Sequence, residues 1–100
     1  MLLGFIEMSF GYPDPKDAYI GLLMLDKAAR GGGIGPQLLA EATWRARTNG
    51  ARRQLVAVLA ANPRGRAFWQ REGFRPERDF PASADDPLAH ARCRMTRDLL

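Results

Sequence analysis

Residues 25–36, LDKAARGGGIGP, place four glycines within five positions directly after the apolar run YIGLLML. Glycine loses more conformational freedom on folding than any other residue. A cluster this dense therefore marks backbone that turns through positive φ or is approached closely. The preceding segment AYIGLLMLD (18–26) is apolar at nearly every position, the pattern of a strand covered on both faces. The following segment PQLLAEATWRARTNG (36–50) puts Leu38, Leu39, Ala42 and Ala46 on one side of a helix, with Pro36 in its first turn and Gly50 as its stop. A strand that runs through glycines into a helix ends beside unpaired N–H groups and a positive helix terminus, which together favour an anion.

The rest of the chain extends this unit. LLGFIEMSF (2–10) reads as a strand and GYPDPKD (11–17) as a turn, so the first two strands form a hairpin. QLVAVLA (54–60) is a third strand. NPRGRAFWQREG (62–73) is a second helix, with Asn62 as N-cap, Pro63 at the first helical position and Gly73 at the end. FRPERDF (74–80) and HARCRMTRDL (90–99) are closing strands around the loop 81–89. The expected fold is α/β, a mixed sheet in the order β-β-α-β-α-β-β, with a right-handed parallel crossover over 18–60. At 100 residues with 46% hydrophobic content, a single domain over 1–100 is expected.

Charge narrows the partners. The formal net charge is +4, and thirteen of the fifteen cationic residues are Arg. Such a field attracts nucleic acid, acidic lipid or a polyphosphate cofactor, although arginines on solvated faces give the same composition. No basic helix interleaved with aromatics and no zinc spacing is present, which argues against a nucleic-acid domain. One Cys (Cys93) and one His (His90) make neither a disulfide framework nor a structural zinc site, so no metal is expected. The N-terminus lacks the marks of a signal peptide and no run reaches membrane-span length; a cytoplasmic protein without membrane contact is expected.

Three phosphate loops compete for the glycines. GxxxxGK[ST] fails because no Lys–Ser/Thr pair follows Gly35. GxGxxG, begun at Gly31 and Gly33, requires glycine where Pro36 stands. The pattern [Q/R]xxGx[G/A] is met in full by Arg30-Gly31-Gly32-Gly33-Ile34-Gly35; a ligand-free flexible turn is the alternative. Downstream, LVAVLAANPRGRAFWQREGF sets a strand, an Asn that opens a helix and a closing FWQREGF. With both motifs in this order, residues 3–80, and the last strand more loosely, resemble the GNAT N-acetyltransferase superfamily.

The resemblance implies acetyl-CoA as cofactor, a GNAT-like fold and N-acetyl transfer to a primary amine by direct attack in a ternary complex. Leu23, Met24 and Leu25 would offer backbone contacts to the pantetheine arm, which lies between the strands 18–26 and 54–60. Arg30, Gly31, Gly32, Gly33, Ile34 and Gly35 would wrap the pyrophosphate, with Gly33 and Gly35 at the two fixed glycine positions. Asn62 would cap its helix and reach the pantetheine arm. Arg64 and Arg66 would face the 3′-phosphate side, or simply be solvated. Trp69 occupies the position where many members carry a tyrosine that protonates the leaving thiolate. An indole cannot do so, leaving departure unaided or through water, or a CoA-binding module without catalysis. Glu7 and Asp26 are the candidate bases, each also readable as a solvated carboxylate. A backbone amide near Leu25 would stabilise the oxyanion; Tyr12 and Tyr19 match no motif.

Members of this family usually begin with a further strand and two helices that wall the acceptor site. Here that N-terminal region is largely missing, so the fold is expected to be truncated there and its sheet edge exposed. A second copy covering that edge, as a homodimer, is the expectation; a displaced start codon or an excised piece would give the same short chain. The acceptor, a small-molecule or peptide amine, is left open.

Overall fold

The computed structural model describes residues 4–25, 33–82 and 90–99, with residues 4, 5 and 22–25 described by their backbone. The elements are β1 (Gly4–Phe10), β2 (Asp17–Leu25), α1 (Ile34–Thr48), β3 (Arg53–Leu59), α2 (Pro63–Arg71), β4 (Arg75–Phe80) and β5 (Arg92–Asp98). The strands belong to one five-stranded sheet in the order β1-β2-β3-β5-β4. The succession of strands and helices is the expected one. Helix α1 begins at Ile34, two residues before the expected start, with Gly33 as its N-cap. The chain forms two compact units: one runs up to Gln54 and includes Asp98 and Leu99, the other runs from Leu55 to Arg97.

In the first unit, β1 and β2 form the antiparallel hairpin, with Phe10 opposite Ala18 and Gly4 opposite Leu25. Helix α1 buries Leu39, Ala42, Thr43 and Ala46. Small side chains govern its packing: Ala18, Ala46, Ala51 and Leu99 form one buried cluster, with Met8 packed against it. Two polar features stand inside this apolar setting. Thr43 Oγ1 lies 2.8 Å from Leu39 O and 3.0 Å from Gln54 Oε1, so one hydroxyl proton is shared between two acceptors. Gln54 is fully buried, and its amide turns its other end toward Met8 Sδ at 3.6 Å.

The second feature joins the start of β2 to the start of β3. Asp17 is 3% exposed and accepts both ends of the Arg53 fork, Nε to Oδ1 at 3.0 Å and NH2 to Oδ2 at 2.8 Å. The backbone repeats the tie, since Arg52 N donates to Lys16 O at 2.7 Å. A bidentate pair of this geometry is among the stronger charge-assisted contacts.

The second unit is organised around aromatic side chains. Trp69 of α2 is buried, edge-on to Phe68 and Phe74 at centroid distances of 5.0 and 5.1 Å. Arg97 lies over the Phe74 ring at 4.7 Å and donates to Glu72 O at 2.6 Å, closing the turn after α2. Strands β4 and β5 are antiparallel, with Asp79 opposite Cys93 and Phe80 opposite Arg92. Their register shifts between Pro76 and Arg78, so the proline falls at an interruption of the ladder, on the outermost strand, where its missing N–H costs least.

Removing one partner of the Asp17–Arg53 pair leaves a buried charge without its counterpart. Arg53→Met is expected to destabilise the protein by about 3 kcal/mol, the low end for such pairs because the arginine is partly exposed. Urea unfolding followed by far-UV circular dichroism measures it, and a loss below about 1 kcal/mol would show that the pair is structurally incidental.

Candidate functional site

The helix start that the glycine loop feeds is chemically open. Gly33, the N-cap of α1, has φ 82° and ψ 4°, and among the described residues no side chain caps the helix. A Cβ on Gly33 would meet nothing within 4 Å, so it is the left-handed backbone, not crowding, that calls for glycine there. The first turn holds no acidic residue, while Arg45 and Arg47 lie in the last turn. The amides of Gly33, Ile34 and Gly35 are those that a helix start leaves outside its own ladder. Pro36 contributes none, and Gln37 N closes the first turn onto Gly33 O at 3.2 Å. Three N–H groups, a positive dipole end and a first turn without a carboxylate fit an anion such as a phosphate. Asp26, Arg30, Gly31 and Gly32 lie outside the described residues.

On β2, Leu23, Met24 and Leu25 pair with Ile6, Phe5 and Gly4 of β1. The register shifts between Glu7 and Met8, which leaves Gly21 as the extra residue on β2. Glu7 is exposed on β1, with Oε1 3.9 Å from where a Gly21 Cβ would stand. Its carboxylate is thus beside the bulge rather than in the core.

Helix α2 starts in the opposite manner to α1. Asn62 Oδ1 accepts from Gly65 N at 2.9 Å, so this N-terminus is capped from within and only Nδ2 of Asn62 is left to donate to a ligand. A Cβ on Gly65 would approach Asn62 Nδ2 to 2.5 Å, a contact that identifies Gly65 as the residue making room for the cap. An asparagine followed three positions later by glycine was the available signal for this, and sequence reasoning passed over it. Trp69, at the far end of α2, is held in the aromatic cluster. Arg64 and Arg66 are exposed.

One feature of the second unit had no sequence signal at all. A cavity of about 310 Å³ opens beside the end of β3, with Val58, Leu59 and Ala60 on one side and Pro81 and Ala91 on another. Its polar lining is Arg66, Asp79, Arg92 and Cys93, which come from α2, β4 and β5 and share no sequence spacing. Cys93 is buried. Its thiol donates to Arg94 O at 3.7 Å; burial pushes it above the ordinary range, and the neighbouring Asp79 carboxylate acts in the same direction, with Arg66 opposing. Among the described residues no group of His, Cys, Asp and Glu could hold a metal ion, and no helix is long and apolar enough to cross a membrane.

A model of the family described as Acetyltransferase (GNAT) family matches residues 2–74. Among solved structures, Ard1 from Thermoplasma volcanium superposes with a TM-score of 0.84 at 23% identity, over 98% of this chain and 64% of its own. An acetyltransferase from Thermus thermophilus gives 0.79 at 29% identity, over 96% of this chain and 56% of its own. A GNAT family acetyltransferase from Elizabethkingia anophelis, solved with acetyl-CoA bound, gives 0.85 at 16% identity, over 98% and 69%. The chain therefore spans less than two thirds of the length of the first two. No curated protein sequence matches it significantly.

The two roles open to Asn62 separate by substitution. Asn62→Ala should cost about 1 kcal/mol by loss of the cap, whereas Asn62→Asp, which keeps the acceptor oxygen, should stay within about 0.5 kcal/mol of the parent in urea unfolding. The Cys93 thiol, held protonated, should alkylate with iodoacetamide at pH 8 at least about tenfold more slowly in the folded than in the urea-unfolded chain. Its rate should still be climbing above pH 9; a plateau below pH 8.5 would contradict the upward shift.

Proposed function

The chain belongs to the GNAT acetyltransferase family, and from this premise we propose that it transfers an acetyl group from acetyl-CoA to a primary amine by direct attack of the amine on the thioester. The observation that carries the reading is the start of α1: a left-handed Gly33 and an uncapped first turn, placed within the Arg30-to-Gly35 motif. There the amides of Gly33, Ile34 and Gly35 would bind the pyrophosphate, with Arg30, Gly31 and Gly32 completing the loop. Acetyl-CoA supplies an activated acyl thioester whose thiolate is a far better leaving group than an alkoxide.

The protein's own groups then have limited tasks. The backbone of Leu23, Met24 and Leu25 would align the pantetheine arm, and an amide near Leu25 would receive the developing oxyanion. Asn62 Nδ2 would donate to the same arm while Oδ1 keeps the helix cap. Glu7, exposed beside the β2 bulge, would accept the amine's proton through water, as would Asp26. Trp69 would wall the thioester end and hold no proton for the thiolate, which would take one from solvent. The protonated Cys93 supports direct transfer over a covalent acyl-cysteine, because the thiol is the poor nucleophile of its conjugate pair.

A second reading, a CoA-binding module without turnover, is favoured by one observation: the tyrosine position holds Trp69, buried among Phe68 and Phe74. Calorimetry with acetyl-CoA and a free-thiol release assay across an amine panel separates the two. Binding with thiol release supports the transferase, binding without release supports the module, and no binding refutes both. Gly33→Ala should weaken acetyl-CoA binding about tenfold, which is ~1.4 kcal/mol, as left-handed strain of 1–2 kcal/mol shifts the helix start. Asn62→Asp should weaken it as well, although its fold is undisturbed.

A further inference from the structure

Arginine opposite arginine is an unfavourable pairing in a β ladder, yet β4 and β5 make it. Arg78 stands across from Arg94, and two positions along Phe80 stands across from Arg92. Strand alternation puts these four side chains on one face. The three guanidinium carbons lie 5.0, 4.9 and 5.4 Å from the Phe80 centroid, so the ring gathers cations that repulsion would disperse. Asp79 and Cys93 alternate to the opposite face, where the charge of Arg66 acts on the thiol.

The cluster is short of negative charge. Glu77 Oε2 lies 3.4 Å from Arg94 Nε, while Arg78 and Arg92 make no ion pair among the described residues. Three guanidiniums against one carboxylate leave two positive charges in excess. Two further atoms on this face of β5, Arg94 Nε and Thr96 Oγ1, are buried with no hydrogen-bond partner among the described residues. Such orphans mark places where water or an ion belongs. Stacking fixes the planes of Arg78 and Arg92 and leaves their N–H edges open to an oxyanion.

We propose that this face of the β4–β5 hairpin binds a phosphate monoester dianion, held by Arg78 and Arg92. Arg94, its side chain 16% exposed, adds charge from behind. Charge decides the class of ligand. A phosphate monoester carries about −1.5 to −2 at pH 7 and three acceptor oxygens, which matches the excess and the two forks. A carboxylate or a nucleic-acid phosphodiester carries a single charge and leaves the cluster half neutralised. The site lies within the unit Leu55 to Arg97 and needs no cofactor, so it stands apart from the transferase reading.

The test titrates the ¹⁵N-labelled full chain, in low-salt buffer, with inorganic phosphate, O-phosphoserine, diethyl phosphate and acetate. Shifts of the Arg78, Phe80, Arg92 and Arg94 amides report binding. Phosphate and phosphoserine should bind at least about fivefold more tightly than the two monoanions. Phosphoserine tighter than phosphate assigns the site to a carried phosphoryl group; phosphoserine no tighter assigns it to the free ion. Arg78→Gln and Arg92→Gln should each weaken phosphate about tenfold, and Arg71→Gln, exposed in the last turn of α2, should leave it unchanged. Arg78 is exposed, so R78Q carries the test if R92Q fails to fold. No preference for the dianions, or shifts absent from these four residues, would overturn the proposal. Displacement of phosphate from them by acetyl-CoA would also overturn it, by giving the cluster to the cofactor.

Discussion

The bidentate contact between Asp17 and Arg53 ties the start of β2 to the start of β3, and further contacts of the first unit extend from it. With the carboxylate out of water, the pair tolerates little sliding of either strand start, because a displaced partner would strand a buried charge. Lys16 O accepts from both Arg52 N and Arg53 N, and Arg52 O accepts from Leu99 N. Leu99 O in turn accepts from Arg47 Nε at 3.0 Å. This chain of contacts reaches the last turn of α1, where Ala51 N also closes onto Ala46 O. The helix is therefore anchored at its C-terminal end by protein groups.

The two helices make opposite use of the same physical problem. Every helix start presents N–H groups that its own ladder cannot satisfy. In α2 the Asn62 side chain answers from within, with Gly65 clearing the space. In α1 a glycine stands at the N-cap and, among the described residues, no side chain answers. An internal cap makes a helix stable and indifferent to ligands. An absent one lowers intrinsic stability and leaves a helix start with the dipole and amides that favour an anion, a cost offset here by the packing of Leu39, Ala42 and Ala46.

In the second unit, several arginines stack on aromatic rings. Arg78, Arg92 and Arg94 lie 4.9–5.4 Å from the single Phe80 ring, and Arg97 covers Phe74. Of the three around Phe80, Arg94 also meets Glu77 at 3.4 Å. Stacking holds a guanidinium in position without neutralising it. A chain with net charge +4 can in this way keep oriented cations beside a cavity.

Much of this molecule could be read directly from its residues. The order of strands and helices, the stops at Gly50 and Gly73 and the Asn62 cap are local events, set by backbone conformations and hydrogen bonds within four residues. The family emerged from two such local motifs in sequence order. Tertiary structure decided what depends on distant partners. The strand position of Gln54 would be expected to hold an apolar side chain; it is fully buried because Thr43, eleven residues away, meets its amide. Asp17 and Arg53 find each other across thirty-six positions. Arg66, Asp79 and Arg92 carry no pattern along the chain, and only the approach of α2, β4 and β5 gathers them around one cavity. Periodicity and capping act through neighbouring bonds and are written in order, whereas charge complementarity acts through space and exists only once the chain has folded.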